Sequence, residues 1–182
     1  MVNRVKNMPN LFIVMGVSGT GKSSLAQHLA NEFLLIYIDA DDFHSAQAKK
    51  HMAENKPLTD EMRAPWLVSI TEHLILSFQQ GNSVVLAYSG LKSAHRNLFR
   101  KLPFYCHFFY LTANKDIIAK RITQRANHFF SHALLDSQFE AMEPPLLNEL
   151  DVSIIKVDRD FSLVVDDINK LTKQITRNNK HD

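Results

Sequence analysis

The sequence predicts an α/β fold in which a five-stranded parallel sheet carries helices on both faces. Three observations carry this. Five short apolar runs alternate with stretches of helical periodicity, which is the pattern of a parallel sheet with crossover helices. The first run, Leu11–Met15, is apolar at every position and stops at a glycine, as does a strand buried on both faces. The chain has 182 residues, 45% hydrophobic and 22% charged, an ordinary globular composition for one domain. Long disorder, collagen and coiled coil are excluded on that composition.

Each element follows in order. After the Leu11–Met15 strand comes a glycine-rich loop. Lys22–Phe33 then places Leu25, Leu29 and Phe33 at i, i+4, i+8 of a helix. Leu35–Ile38 is the second strand and ends in acidic residues. His44–Glu54 reads as a short polar helix. Thr59 or Asp60 caps a long helix that runs to Gln80 and stops at Gly81. Ser83–Tyr88 is the third strand, Lys92–Lys101 a helix, Phe104–Leu111 the fourth strand and Ile117–Arg125 a helix. Leu134–Met142 is a helix ended by Pro144-Pro145, Val152–Val157 the fifth strand and Leu163–Ile175 the last helix. The expected unit is one domain over 1–182, with a core at 11–175 and polar ends at 1–9 and 176–182.

Charge and cysteine content narrow the function. Lys plus Arg is 21 and Asp plus Glu is 19, a net +2, which gives no electrostatic case for nucleic acid or a membrane surface. The single cysteine, Cys106, can form neither an internal disulfide nor a cysteine zinc site. Met1–Asn10 is polar, and the apolar run after it is too short for a signal-peptide core or a membrane span. The expectation is a soluble, cytoplasmic protein.

The loop after the first strand carries the chemistry. Gly16-Val17-Ser18-Gly19-Thr20-Gly21-Lys22-Ser23 matches G-x-x-x-x-G-K-[ST] at every fixed position, with Ser24 following, and it sits between a strand and a helix as the motif requires. Glycines let backbone amides face a phosphate, and the helix N-terminus adds its dipole. Lys22 is placed for the outer phosphates and the Ser23 hydroxyl for Mg²⁺. A purine nucleoside triphosphate, ATP, with Mg²⁺ is therefore expected, on a three-layer P-loop NTPase fold.

Which user of that loop follows from what surrounds it. A switch GTPase needs N-K-x-D, and Asn114-Lys115-Asp116 brings its aspartate one position early, so Asn114 reads as a helix cap. A motor ATPase carries an acid at the end of a neighbouring strand. The third strand ends in Ala87-Tyr88-Ser89-Gly90, without one. The acids close the second strand instead, in Asp39-Ala40-Asp41-Asp42. Two carboxylates at i and i+2 beside a phosphate loop suit phosphoryl transfer, one near the metal and one accepting the proton of an attacking hydroxyl. Arg121 and Arg125, at i and i+4, are placed to close over the phosphates. Arg63, Lys92, Arg96 and Arg100 are further cations. Lys92 and Arg96 follow a strand's carboxyl end, where open α/β sheets bind ligands.

These residues resemble the small gluconokinases. The phosphate loop does so, as do Asp39-Ala40-Asp41-Asp42-Phe43-His44, Pro57-Leu58-Thr59-Asp60 and Arg63-Ala64-Pro65-Trp66-Leu67. Ser89-Gly90-Leu91-Lys92, His128-Phe129-Phe130 and Leu134-Leu135 with Ser137-Gln138-Phe139-Glu140 continue the likeness, in order, over about residues 11–170. The resemblance implies a nucleoside-monophosphate-kinase-like fold with a mobile lid at about 126–142, a homodimer, and ATP-dependent phosphorylation of D-gluconate to 6-phosphogluconate. It makes Asp41 the base toward the 6-hydroxyl and puts Asp39 in the magnesium shell. His44, Arg63, Lys92 and Arg96 would bind the polyol or its carboxylate, Arg121 and Arg125 would cover the ATP phosphates, and His128 would open the lid. Ser45 stands where the family has proline, Tyr88 where cysteine is common, Gly90 where alanine is usual and Asn127 where the lid has glycine. Tyr88 and Gly90 are expected to reshape the acceptor pocket.

Other readings are weaker. Nine histidines include His128 and His132 at i, i+4, but no set of zinc ligands with suitable spacing is evident. Trp66 reads as core or as a wall of the acceptor pocket, and Cys106, mid-strand, as an inert thiol. Two alternative functions stand beside gluconate phosphorylation: a kinase for another small hydroxyl acceptor such as shikimate or a nucleotide, and a non-catalytic ATP-binding sensor.

Overall fold

The structure, a computed structural model, describes residues 8–90, 92–124 and 132–179. The order is β1 (Asn10–Met15), α1 (Lys22–Phe33), β2 (Ile36–Asp39), a 3₁₀ turn (Ala40–Phe43), α2 (Ala46–Ala53), α3 (Asp60–Gln79), β3 (Val84–Tyr88), α4 (Ser93–Arg100), β4 (Tyr105–Thr112), α5 (Lys115–Thr123), α6 (His132–Ala141), β5 (Val152–Lys156) and α7 (Phe161–Asn178). The five strands pair in parallel in the order β2-β3-β1-β4-β5. The chain leaves the central β1 toward β2 and β3 on one side, then toward β4 and β5 on the other. The loop after β1 therefore lies at the switch point where such sheets bind ligands.

Strand alternation divides the core into two layers. Leu11, Ile13 and Met15 point to one face, where Trp66, Ile70 and Leu74 of α3 and Phe99 of α4 cover them. Phe12 and Val14 point to the other, against Leu25, Ala26 and Leu29 of α1 and Val164 and Ile168 of α7. Residues 11–15 are at most 1% exposed, which is why the run has no polar position. Full burial of each such side chain is worth about 1.5–3 kcal/mol, so β1 is the hub of the stability as well as of the site. A smaller cluster, in which Val17, Ile118, Ile122 and Leu135 pack together, seats α5 and α6 against the loop after β1.

Helix boundaries follow local chemistry. Thr59 caps α3, its hydroxyl accepting from the Met62 amide at 3.3 Å. Asn114 caps α5 by accepting from the Asp116 amide at 2.8 Å, which disposes of the guanine-clamp reading. Ser45 caps α2 by accepting from the Ala48 amide at 3.1 Å. α2 therefore starts at Ala46, and His44 lies outside it, at the end of a 3₁₀ turn that periodicity did not reveal. α5 ends at Thr123, short of the predicted Arg125. Among the described residues no helix is long and apolar enough to cross a membrane.

Candidate active site

The loop after β1 is folded as a phosphate cradle. The Gly16 amide donates to the Ser89 carbonyl at 3.0 Å, tying the loop to the end of β3. Gly16 has φ +145°, and a Cβ there would stand 2.6 Å from the Leu111 carbonyl oxygen, so only glycine fits between β1 and β4. The Thr20 hydroxyl, buried, donates to the Val17 carbonyl at 2.8 Å, and the Lys22 ammonium donates to the same carbonyl at 3.2 Å. Gly21 opens α1, whose first turn includes Ser23 and Ser24. The loop's amides and Lys22 thus converge on one side of a helix N-terminus, an arrangement for anions.

The acidic end of β2 reaches this cradle. The Ser23 hydroxyl donates to Asp39 Oδ2 at 2.9 Å. The Tyr37 hydroxyl donates to the same oxygen at 2.8 Å, and burial together with Asp39 pushes the Tyr37 phenol up to about 12. Asp39 Oδ1 accepts from the Asp41 amide at 3.0 Å, which starts the 3₁₀ turn and points successive residues in different directions. Asp41 ends with its side chain 86% exposed, 3.8 Å from His44 Nε2. Ser23 and Asp39 form an oxygen pair that fits Mg²⁺, which takes one or two protein oxygens and fills its octahedron with phosphate and water.

An aromatic wall stands behind Asp41. The His44 ring stacks on Trp66 at 4.2 Å, and Trp66 stacks on Tyr88 at 5.1 Å. Trp66 Nε1 donates to the Ala40 carbonyl at 2.6 Å and so anchors the 3₁₀ turn to α3. Trp66 belongs to the core cluster, 6% exposed. Burial holds His44 below the usual imidazole range, with Lys49 and Arg63 acting the same way against Asp41. Its buried Nδ1 lacks a hydrogen-bond partner, the one such side-chain atom among the described residues. Tyr88 is buried between Trp66 and Phe99, its hydroxyl 2.7 Å from His95 Nδ1. Gly90 answers to the core instead: at φ +63°, a Cβ would meet Met15 Cβ at 2.6 Å.

Cations adjoin this wall, Arg63 acting on both His44 and His95. Arg63 Nη1 donates to Asp60 Oδ1 at 3.0 Å, and Lys92 Nζ donates to Asp60 Oδ1 and Oδ2 at 2.7 and 2.6 Å. Arg63 and Lys92 also bear on His95, which burial holds low. Arg96 is different. It is 1% exposed and bidentate to Glu149 at 2.9 and 2.8 Å, with a third bond to the Glu143 carbonyl at 3.0 Å. Arg100 joins the same knot through Glu149 and Asp151. The expectation of Arg96 on the substrate side meets a guanidinium whose bonds all point into the fold.

On the other side of the cradle a cleft of about 510 Å³ is lined by Gly19, Gly21, Ser24, Arg121, Arg159 and Phe161. Arg121 donates to the Val157 carbonyl at 2.5 Å. Arg159, from the β5–α7 connection, and Phe161, the first residue of α7, carried no motif in the sequence. Gln138 is a second addition: its side-chain carbonyl accepts from the Ser18 amide at 2.7 Å and binds α6 to the phosphate loop. Tyr37 and Asp60 are the others. Arg125 and His128, with lid residues 126–131, lie outside the described residues.

A phosphate cradle at the switch point of a five-stranded parallel sheet, with an oxygen pair and an exposed carboxylate beside it, is the arrangement of a P-loop kinase. A family model described as an AAA domain matches residues 11–145. The thermosensitive gluconokinase of Escherichia coli (strain K12) is 34% identical over 167 residues, 92% of this chain and 89% of that protein. A probable gluconokinase of Mus musculus is 37% identical, covering 85% and 92%. The crystal structure of a gluconokinase from Sinorhizobium meliloti 1021 superposes with a TM-score of 0.81 at 30% identity, covering 96% and 95%. The chain belongs to the gluconokinase family.

Proposed function

We propose that this protein transfers the γ-phosphoryl group of ATP to the 6-hydroxyl of D-gluconate. The observation that carries the reading is the polarity of the acceptor wall. It brings an exposed carboxylate, Asp41, and two cations, Arg63 and Lys92, to one aromatic wall, as an acid that also bears a reacting hydroxyl requires. Named gluconokinases that align over nearly the whole chain support it.

Each residue then has a task. The amides of residues 16–23 and Lys22 hold the triphosphate, and the cleft beside Arg121 and Phe161 takes the nucleoside. Ser23 and Asp39 would hold Mg²⁺, which supplies charge neutralisation on the phosphates. Asp41 accepts the 6-hydroxyl proton as the oxygen–phosphorus bond forms and the bond to ADP breaks. His44, held neutral by burial with its Nε2 toward Asp41, suits a polyol hydroxyl, and the Arg63–Lys92 pair suits the carboxylate. Arg121, with Arg125, covers the phosphates. Arg96, bonded to Glu149 and to the Glu143 carbonyl, is read as an arginine that positions α4 and not as a substrate ligand. On the family resemblance, a cytoplasmic homodimer with a lid carrying His128 completes the reading, and light scattering tests the dimer.

The test is ADP release from purified protein with Mg·ATP and D-gluconate, against shikimate, glycerate, glucose and nucleoside monophosphates. Turnover confined to gluconate is expected. Turnover with another acceptor alone overturns the assignment of His44, Arg63 and Lys92. ATP binding without any turnover favours the sensor.

A further inference from the structure

We propose that Asp60 is an internal counter-anion that holds Arg63 and Lys92 before substrate arrives, and that an acid substrate binds by taking its place. The inference rests on the gluconate reading of the site and adds a specificity device to it. One carboxylate accepts from both cations, through Oδ1 from Arg63 and through both oxygens from Lys92, at 2.6–3.0 Å. That is the arrangement a substrate carboxylate would need from the same two side chains.

The exposures give the exchange a direction. The Asp60 side chain is 63% exposed, whereas Arg63 and Lys92 are 19% and 29% exposed. The anion is on the solvent side of its cations and can turn into water without moving them. Asp60 is the first residue of α3, one place after the Thr59 cap, so the helix start survives its rotation. Its neighbour Glu61 is held by Thr59 and its own amide, and feels Lys92 only through space, with no hydrogen bond to either cation. The cluster of Arg63, Lys92 and Asp60 sums to +1. The two histidines facing it, His44 and His95, are both held below their ordinary range by burial, so they add no charge near neutrality. A monoanionic acid replaces one exposed ion pair by another, an exchange worth about two- to fivefold in an equilibrium constant. A neutral polyol has no anion to exchange and leaves the Asp60 contacts in place.

Asp60 is thus a positioning residue whose removal should help the acid. In Asp60→Asn, the KM for D-gluconate should fall about two- to fivefold, with kcat held. Competitive inhibition by D-glucitol, the same carbon chain without the carboxylate, should not move. Asp60→Glu, which keeps the anion, should restore a KM near the parent value. Asp60→Ser, a residue suited to helix starts, serves if the asparagine variant does not fold. A gluconate KM that rises or stays put in the neutral variants, while the parent protein turns gluconate over, overturns the counter-anion inference alone. A parent protein that turns over no gluconate overturns the reading of the site, and this inference falls with it.

Discussion

Asp39 and Asp41 are two residues apart, yet their surroundings give them different work. Asp39 is tied by Ser23, Tyr37 and the Asp41 amide, so its oxygens are fixed beside the phosphate loop. Asp41 is exposed and touches only His44 among the ion pairs of the described residues. A fixed carboxylate suits a cation shell and a free one suits proton transfer. Asp41→Asn should therefore lower kcat by about 10²–10⁴-fold while leaving the KM for ATP close to its parent value, as steady-state kinetics would show. Loss of ATP binding with normal turnover at saturation would transfer the base role elsewhere. Lys22 tests the opposite end. Its ammonium lies in the cradle against the Val17 carbonyl, and Lys22→Ala should cost about 10²–10³-fold in turnover. An unchanged rate would remove the phosphate-loop assignment.

At the scale of elements, α4 shows what the sequence could and could not reveal. Its start after β3 was legible, and so was the value of Lys92 as a cation at a strand's carboxyl end. The direction of Arg96 was not. It is the fourth residue of α4, and only the packing of α4 on β3 and β1 decides that it points inward to Glu149, 53 residues later. The same holds for Asp60, whose place one residue after a cap hid the partner 32 residues away. The central strands β1 and β3 were legible because both of their faces are apolar and buried. The 3₁₀ turn was not, since a single turn has no periodicity. Arg96 also makes a prediction. Its two hydrogen bonds to Glu149, a third to Glu143 and the Arg100 pair knot α4 to the segment before β5. Arg96→Met leaves Glu149 with Arg100 as its remaining cation and the Glu143 carbonyl without its donor, and should cost about 1–3 kcal/mol of stability in urea unfolding. A stable Arg96→Met protein with a raised gluconate KM would instead return Arg96 to the substrate side.

For the whole molecule, buried titrating groups set the pH range of stability. Burial holds His44, His95 and His107 below the unfolded value of 6.5, His107 as low as about 4, with its Nε2 2.9 Å from the Ser153 hydroxyl. Between those values and 6.5 the unfolded chain binds more protons, so stability falls as pH drops from 6.5 toward 4. Glu149, held near 2 chiefly by Arg96, acts in the same direction lower down: its contribution is present above 4.5 and is lost as pH falls toward 2. On the alkaline side, burial raises Cys106 from 9.0 and Tyr37 from 10.0 to about 12 each. Their folded forms keep the proton longer, so stability is lost as pH climbs from 9 to 12. The two limbs leave a plateau between about 6.5 and 9. Urea midpoints across pH 4–11 should trace that plateau, and His107→Asn should make the acid limb shallower, since one proton-uptake site of the unfolded chain is removed. A midpoint that stays flat from pH 7 to pH 5 would mean that these imidazoles take up protons in the folded state as readily as in the unfolded one. The aromatic wall at His44 would then be open to water, and a neutral His44 could no longer be assigned to the polyol at the pH of the reaction.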